Sequence, residues 1–350
     1  MLRVTVPQPG VVLGSRYRLV QHLGRGGMAE VWRGFDERMQ RSVAIKIFND
    51  DLDDTVSVAR QQAEIRALSD LSHPNLVAFL DARHVGDGAE HSGDPAYLVM
   101  EFVAGPTLAQ RLTLGPLSVG EVGEIARGVA AALAAAHSHG MVHRDVKPAN
   151  ILLARDGSGR LVPKLSDFGI AHRLGSGRIT RTSMVVGTAA YLSPEQARGG
   201  TIGPPTDVYA LGLVLLEALT GHRTYDGAPL EAAAARLLRP PAIPATLPAP
   251  WPSLLAAMTR LDPTARPSAS VVLGVLEGRA QVPVRSIPPP PAVATAPPAR
   301  VPAYSPAAVP SAATKPARRR NRRISGLAAL ITIMAFVALS AFAVAVLTSH

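Results

Sequence analysis

The residues best equipped for chemistry lie in one short stretch, from His143 to Asn150, which reads His-Arg-Asp-Val-Lys-Pro-Ala-Asn. In it, Asp145 can accept the proton of an attacking hydroxyl, and Lys147 can neutralise charge that grows on a transferred phosphate. The amide oxygen of Asn150 can hold a divalent metal. Each residue type alone would be an ordinary loop residue, but the three at this spacing predict phosphoryl transfer.

Phosphoryl transfer needs a cradle for phosphates, and a glycine-rich hairpin near the N-terminus suits that task. An apolar/polar alternation from Tyr17 predicts a strand that runs into Gly24-Arg-Gly-Gly-Met-Ala-Glu-Val31, followed by a second strand at about 31–35. The glycines let backbone N–H groups approach phosphate oxygens without a Cβ in the way. A dinucleotide fingerprint would instead open a helix.

Three further charged residues extend this arrangement. Lys46 is the one charged residue of an apolar strand at 43–48, although on its own it would be read as a surface lysine. Glu64 lies on the apolar face of a helix predicted over 55–71. Asp167, in Asp-Phe-Gly, follows two short predicted strands and is placed to reach a metal that bridges phosphates.

In this order and context, the motifs resemble those of protein kinases from about Tyr17 to about Leu276. Lys147 resembles the Ser/Thr-specific branch, and Gly-Gly-Met-Ala-Glu-Val and Gly-Thr-Ala-Ala-Tyr-Leu-Ser-Pro-Glu-Gln-Ala look like bacterial eukaryotic-like receptor Ser/Thr kinases. The resemblance implies an α+β, bilobal protein-kinase fold over residues 16–278. Its N-lobe, an antiparallel sheet with one helix, is expected at about 16–100, and its mainly helical C-lobe at about 104–278.

The resemblance also implies roles for individual residues. Those with an implied catalytic role are Asp145, Lys147, Asn150, Lys46, Glu64, Asp167 and Thr188, with Lys46 paired to Glu64. ATP is expected to contact the glycine loop, the lysine strand and the hinge at Leu23, Gly24, Arg25, Gly26, Gly27, Met28, Ala29, Glu30, Val31, Ala44, Lys46, Met100, Glu101 and Val103. Mg²⁺, or Mn²⁺ as an alternative, is expected at Asn150 and Asp167. The expected structural supports are His143, Phe168, Gly169, Glu195, Asp207 and Arg266.

Two of these supports have specific expected partners. Glu195 is expected to pair with Arg266, and Asp207 is expected to hold the backbone of the catalytic loop, His143–Asn150. Arg144, beside the catalytic acid, implies regulation by a phosphate on the activation segment. The candidate acceptors of that phosphate are Thr180, Thr182 and Ser183. The chain departs from the family pattern at two positions, with Ala29 where the third glycine is usual and Ser193 in place of the alanine of Ala-Pro-Glu.

The C-terminal part of the chain predicts a tether and a membrane anchor. Residues 279–323 are rich in Pro and Ala, a composition that favours extended, unpacked chain. Residues 324–347 form an uncharged apolar run long enough to span a bilayer, and the arginine run Arg318–Arg323 before it predicts a cytoplasmic side that attracts anionic lipid. The sequence thus predicts a single-pass plasma-membrane protein with a cytoplasmic kinase domain and no extracellular sensor domain.

Composition excludes some other classes. The chain has no cysteine, which rules out disulfides and thiolate metal sites, and residues 1–15 resemble a leader without a secretion signal. The formal net charge of +10 does not indicate nucleic-acid binding, because the densest basic run flanks the apolar segment. A membrane-tethered pseudokinase scaffold is the alternative function, but it would be expected to lack Lys46, Asp145 or Asp167. Protein substrates are expected, and N-lobe homodimers in the similar group leave a homodimer open.

Overall fold

A computed structural model of the chain describes residues 7–26, 29–48, 71–83, 94–168, 188–225 and 235–282. The chain divides into two units, residues 1–287 and 288–350, and all the described residues belong to the first. The predicted helix at 55–71 except its last residue, most of the linker and the apolar run at 324–347 lie outside the described residues. Within those residues, no helix is both long and apolar enough to cross a bilayer.

The described residues of the N-terminal part form an antiparallel sheet of six strands: β1 (Val12–Leu13), β2 (Tyr17–Arg25), β3 (Ala29–Asp36), β4 (Arg41–Phe48), β5 (Phe79–Arg83) and β6 (Tyr97–Glu101). Their order in the sheet is β1-β2-β3-β4-β6-β5. Along β4, Val43, Ile45 and Ile47 are buried on one face. Because side chains alternate along a strand, Ala44 and Lys46 lie on the opposite face.

The sheet extends further than the sequence indicated. Leu13, within the predicted leader, pairs with Tyr17 and is completely buried, so the sheet begins before residue 16. Strand β5 was also not predicted. Its residues, Phe-Leu-Asp-Ala-Arg, lack a clean alternation and are all only half-buried, as expected for a strand at the edge of a sheet.

The C-terminal part is mainly helical. Among its described residues, the α-helices are α1 (Leu108–Leu112), α2 (Val119–Ser138), α3 (Pro194–Arg198), α4 (Pro204–Thr220), α5 (Trp251–Met258) and α6 (Ala269–Leu276). Helix α4 is buried on nearly all sides, which explains its apolar sequence. It begins at Pro204, where a proline in the first turn loses no intrahelical hydrogen bond.

A two-stranded sheet, β7 (Ile151–Arg155) and β8 (Leu161–Leu165), carries the catalytic loop on one side and the Asp167 segment on the other. The chain that leads into β5 lies against β8, since Leu165 N–H donates to Asn75 O at 2.8 Å and Asn75 Nδ2 donates to Pro163 O at 2.8 Å. Gly128 of α2 permits this approach, because a Cβ there would lie 2.4 Å from Pro163 Cγ.

A buried ion pair ties α3 to the segment before α6. Arg266 Nη1 and Nη2 donate to the two carboxylate oxygens of Glu195 at 2.7 and 2.8 Å, and Thr206 Oγ1 donates to the same carboxylate at 2.8 Å. Burial raises the pKa of Glu195, but Arg266 and Thr206 outweigh it, so that the pKa lies below its usual range. This is the pairing that the sequence led us to expect.

Replacing Arg266 by Met should destabilise the protein strongly, because Glu195 would be left buried without its cation. We expect the free energy of unfolding to fall by about 3–5 kcal/mol, measured by urea titration of tryptophan fluorescence. The control is Arg279→Met, which removes an exposed partner of Glu277 and should change stability by less than about 1 kcal/mol. Equal effects of the two substitutions would contradict the assignment.

Candidate active site

The catalytic loop is held by one buried carboxylate. Asp207, in the first turn of α4, is completely buried and accepts hydrogen bonds from His143 N–H at 2.8 Å and Arg144 N–H at 2.7 Å. His137 of α2 adds a contact at 2.8 Å between its Nε2 and the same carboxylate. These bonds stabilise Arg144 at a φ of 68°, a left-handed conformation that non-glycine residues rarely adopt.

Three of the seven side chains with predicted catalytic roles meet in this loop. Lys147 Nζ lies 2.8 Å from Asp145 Oδ2, and Asn150 Nδ2 donates to the backbone oxygen of Asp145 at 2.8 Å and to its Oδ2 at 3.1 Å. The loop therefore fixes the Asp145 carboxylate from two sides. Because Asn150 uses its amide nitrogen in both bonds, its amide oxygen is the atom suited to a metal.

A histidine connects the catalytic loop to the segment of Asp167 and Phe168. His143 Nε2 lies 2.8 Å from Ser166 O, which requires a proton on Nε2, and Nδ1 then accepts the N–H of Asp145 at 3.3 Å. The His143 ring also packs on Phe168, with ring centroids 4.7 Å apart. One imidazole thus sets the position of both segments.

Lys46 of β4 reaches across to Asp167, and its Nζ contacts the carboxylate as an ion pair. Burial raises the pKa of Asp167, but Lys46, and to a smaller extent His143 and Lys147, outweigh it and hold the pKa below its usual range. Asp167 is therefore ionised at neutral pH. The contact connects the N-terminal sheet to the loop that follows β8.

These donors fit a divalent cation such as Mg²⁺. Asp167 supplies an ionised carboxylate and Asn150 an amide oxygen, the oxygen ligands that hard cations prefer. The two segments are adjacent, since Ser166 N–H donates to Asn150 O at 2.9 Å. Asp167 and Asn150 are thus the residues that would hold the metal.

The glycine loop leaves room for a ligand. A Cβ at Gly24 would meet no heavy atom within 4 Å, so neighbouring protein atoms do not require glycine there. Gly26 N–H closes the hairpin by donating to Ala29 O at 2.8 Å, and Arg25 pairs with Glu30 at 3.0 Å. Ala29, in place of the usual third glycine, is buried within β3.

The predicted hinge follows β6. Met100 pairs with Ala44 in the sheet, and Val103 is buried. The Glu101 side chain is engaged away from the hinge backbone, because its Oε2 lies 2.9 Å from Lys164 Nζ on β8 and accepts Ala78 N–H at 3.2 Å. Backbone groups, rather than this carboxylate, therefore remain the expected adenine contacts.

Several predicted site residues, or their side chains, lie outside the described part of the chain. Thr188 begins a short 3-10 helix at Thr188–Tyr191, and its side chain is not described. The other predicted positions outside the described residues are Gly27, Met28, Glu64, Gly169, Thr180, Thr182 and Ser183. The Lys46–Glu64 pair, the phosphate acceptors and the partner of Arg144 in that segment stay predictions.

Sequence reasoning missed residues that hold the segment before α3. Arg236 is completely buried and donates to Leu192 O at 2.8 Å and Ala190 O at 3.2 Å. Tyr191 OH donates to the buried carboxylate of Glu217 on α4 at 2.5 Å. A charged residue within an apolar helix, as Glu217 is, was the one available signal. Arg236 carries no local signal, because its partners are backbone oxygens distant in sequence.

The chain is similar in sequence and in fold to known proteins. The protein kinase domain family matches residues 17–275. PknA of Mycobacterium tuberculosis, a serine/threonine-protein kinase, is 37% identical over 331 residues, which are 91% of this chain and 75% of PknA. PrkC of Bacillus subtilis, another serine/threonine-protein kinase, is 43% identical over 220 residues, 62% of this chain and 32% of PrkC.

A probable serine/threonine-protein kinase, PknB of Lactococcus lactis, is 42% identical over 223 residues, 63% of this chain and 34% of that protein. The chain thus spans about a third of the length of PknB and PrkC. Among solved structures, the kinase domain of M. tuberculosis PknI superposes with a TM-score of 0.60 at 26% identity, covering 79% of this chain and all of that one.

The fold and the site define a protein kinase, and the predicted bilobal architecture is confirmed. The chain belongs to the protein kinase family, among its bacterial eukaryotic-like Ser/Thr kinases. Members of this family transfer phosphate from ATP with the help of a divalent metal.

Removing the Lys46 charge should alter the pH dependence of stability. Because the folded-state pKa of Asp167 is depressed, its stabilising contribution is complete above the ordinary pKa of 3.8 and is lost as pH falls through the folded value. We therefore expect Lys46→Met to lower the free energy of unfolding by about 1–3 kcal/mol at pH 7, a difference that shrinks towards pH 3. Urea titrations from pH 3 to 7.5 measure it.

The control is the same substitution in an Asp167→Asn background, where Lys46→Met should have an effect independent of pH. A wild-type-to-variant difference that is constant from pH 7 to 3 would show that the ion pair does not govern the titration of Asp167.

Proposed function

We propose that this chain transfers the γ-phosphoryl group of ATP to Ser and Thr hydroxyls of protein substrates, itself included, and does so while anchored to the plasma membrane. The observation that carries the catalytic part is the cluster of Asp145, Lys147 and Asn150 on a loop held from beneath by Asp207. A pseudokinase scaffold would be expected to lack Lys46, Asp145 or Asp167, and all three residues are present in this chain.

In the proposed reaction, Asp145 orients the substrate hydroxyl and accepts its proton. The hydroxyl oxygen forms a bond to the γ-phosphorus as the bond from that phosphorus to the bridging oxygen breaks, and ADP leaves. Lys147, at 2.8 Å from Asp145, is close enough to stabilise the negative charge of the transferred group. The protein thus contributes mainly position and charge.

Lys46 and the two metal-binding side chains act on the nucleotide. Asp167 and Asn150 would hold Mg²⁺, which would supply positive charge to neutralise the phosphates. Lys46 contacts Asp167 in this structure, so binding of ATP would give the lysine a phosphate partner as well. The glycine loop would cover the phosphates with backbone N–H groups, using the open space beside Gly24.

Regulation is proposed to act through Arg144. Its backbone is fixed by Asp207, so that a phosphate on the activation segment would bind an already positioned guanidinium. The proposed acceptors are Thr180, Thr182 and Ser183, and autophosphorylation between copies would be favoured by a homodimer. Replacing Arg144 would then remove the response to phosphorylation rather than the chemistry.

The proposed location rests on sequence. An uncharged apolar run at 324–347 follows Arg318–Arg323, and the linker before it would let the kinase domain reach substrates near the inner surface of the plasma membrane. Anionic lipid headgroups are the proposed partners of the arginines. Nucleic acid is not a proposed partner.

Asp145→Asn should abolish catalysis, because an amide cannot accept the proton. With the full-length chain purified in detergent and incubated with Mg-ATP labelled in the γ-phosphate, we expect the variant to incorporate phosphate about 10²–10⁴-fold more slowly. The matched control is Asp156→Asn, an exposed residue in the turn that follows β7, which should retain activity. Equal labelling of wild type and Asp145→Asn would refute the assignment.

Phosphopeptide mapping of the same wild-type sample tests the regulatory proposal. We expect phosphate within residues 171–186, at Thr180, Thr182 or Ser183. Phosphate found only elsewhere in the chain would contradict it.

The membrane anchor is tested in cells that express the full-length chain. We expect it in the membrane fraction after alkaline extraction, whereas Phe336→Arg combined with Leu339→Arg should release it, since each central arginine costs about 2.5–3.5 kcal/mol on insertion. The control replaces the same two residues by Ala and Val. Wild-type protein in the soluble fraction would refute the anchor.

A further inference from the structure

One side chain outside the expected catalytic set contacts the backbone of the catalytic loop. Gln196, the third residue of α3, donates from Nε2 to Arg144 O at 2.9 Å. Its Oε1 simultaneously accepts Ser193 N–H at 2.9 Å, which is one half of the capping box that begins α3. The glutamine therefore joins a helix cap to the loop that carries Asp145.

The hydrogen-bond network fixes the orientation of this amide. If the two ends were exchanged, Nε2 would face the Ser193 N–H and Oε1 would face the Arg144 carbonyl, so that both contacts would be repulsive. A donor is thus required on the side of the loop and an acceptor on the side of the cap. Glutamine meets both requirements, whereas glutamate, the other usual residue of a capping box, meets only one when ionised.

The bond acts on the peptide unit that precedes the catalytic acid. The Arg144 carbonyl and the Asp145 N–H belong to one planar group, and the N–H end of that group donates to His143 Nδ1 at 3.3 Å. Arg144 N–H, on the other side of its left-handed Cα, donates to Asp207. Without Gln196, the carbonyl end of the peptide unit would lose this bond.

The platform for Gln196 is rigid. Its neighbour Glu195 is held by the bidentate pair with Arg266, and α3 ends at Gly199 in the left-handed conformation of a helix C-cap. Because α3 is held in this way, the Gln196 amide is already in place to donate to the loop.

We propose that Gln196 is a positioning residue for phosphoryl transfer, holding the Arg144–Asp145 peptide so that the Asp145 carboxylate faces the substrate hydroxyl. The inference rests on the proposed function, because it assigns to Asp145 the acceptance of the proton. It predicts an effect on turnover that is separable from any effect on the stability of α3.

The test is Gln196→Glu in the full-length chain. The introduced carboxylate can still accept Ser193 N–H, but it cannot donate to Arg144 O unless it is protonated. We expect kcat at pH 8 to fall about tenfold with KM for ATP within about twofold of wild type. Because the ionised carboxyl would face the Arg144 carbonyl oxygen, its pKa should lie above the ordinary glutamate range. The protonated fraction, which restores the donor, therefore grows as pH is lowered towards 6, and the ratio of variant to wild-type kcat should rise.

Two further variants separate this effect from charge and from helix capping. Gln110→Glu makes the same substitution at the same position of the capping box of α1, where the cap is Thr107 and the side chain is exposed, and should leave kcat unchanged at each pH. Gln196→Met removes the donor without adding a charge and should lower kcat at every pH with no recovery at pH 6.

The outcomes are distinguishable from failure of the proposed function. If wild type and Asp145→Asn label equally, the function itself is wrong. If wild type is active and Gln196→Glu matches it at pH 8, or shows a deficit that does not change with pH, Gln196 does not position the loop. Recovery towards pH 6 by Gln196→Glu alone, with wild-type behaviour of Gln110→Glu, supports the inference.

Discussion

Satisfying one buried carboxylate organises the active site. Asp207 is excluded from solvent, so its oxygens must be paired within the protein, and the available donors are two consecutive backbone N–H groups of the catalytic loop and a histidine of α2. Because α4 is buried on nearly all sides, the carboxylate cannot shift towards water. The loop must therefore adopt the shape that offers both N–H groups to the same acid.

Further polar contacts connect the catalytic loop to the neighbouring segments. His143, held by its backbone, fixes the Ser166 carbonyl and packs on Phe168, and Asp167 next to them binds Lys46 of the N-terminal sheet. A second connection runs from Glu101 at the end of β6 to Lys164 on β8. Both connections are ion pairs between the sheet and the β7–β8 region.

Two residues of the site have backbone conformations that non-glycine residues rarely adopt. Arg144 and Asp167 both have positive φ values, of 68° and 56°, and both flank the reacting centre. Such residues persist only where surrounding contacts outweigh their strain. Here those contacts are supplied by Asp207 and by side chains on separate elements, which include a helix cap far from the loop in sequence. The surrounding contacts thus offset the backbone strain of Arg144 and Asp167 and fix the position of both residues.

The sequence alone determined the family and the bilobal fold and predicted the phosphoryl-transfer residues, because these depend on short motifs with fixed spacing and on local periodicity. The sequence also predicted that Glu195 pairs with Arg266 and that Asp207 supports the loop, and the structure shows both contacts. Only the tertiary structure decided that Lys46 contacts Asp167, that Lys164 binds Glu101 and that Gln196 reaches Arg144. The physical reason is that a side chain's partner is chosen by three-dimensional proximity between distant segments, and no local pattern records that choice.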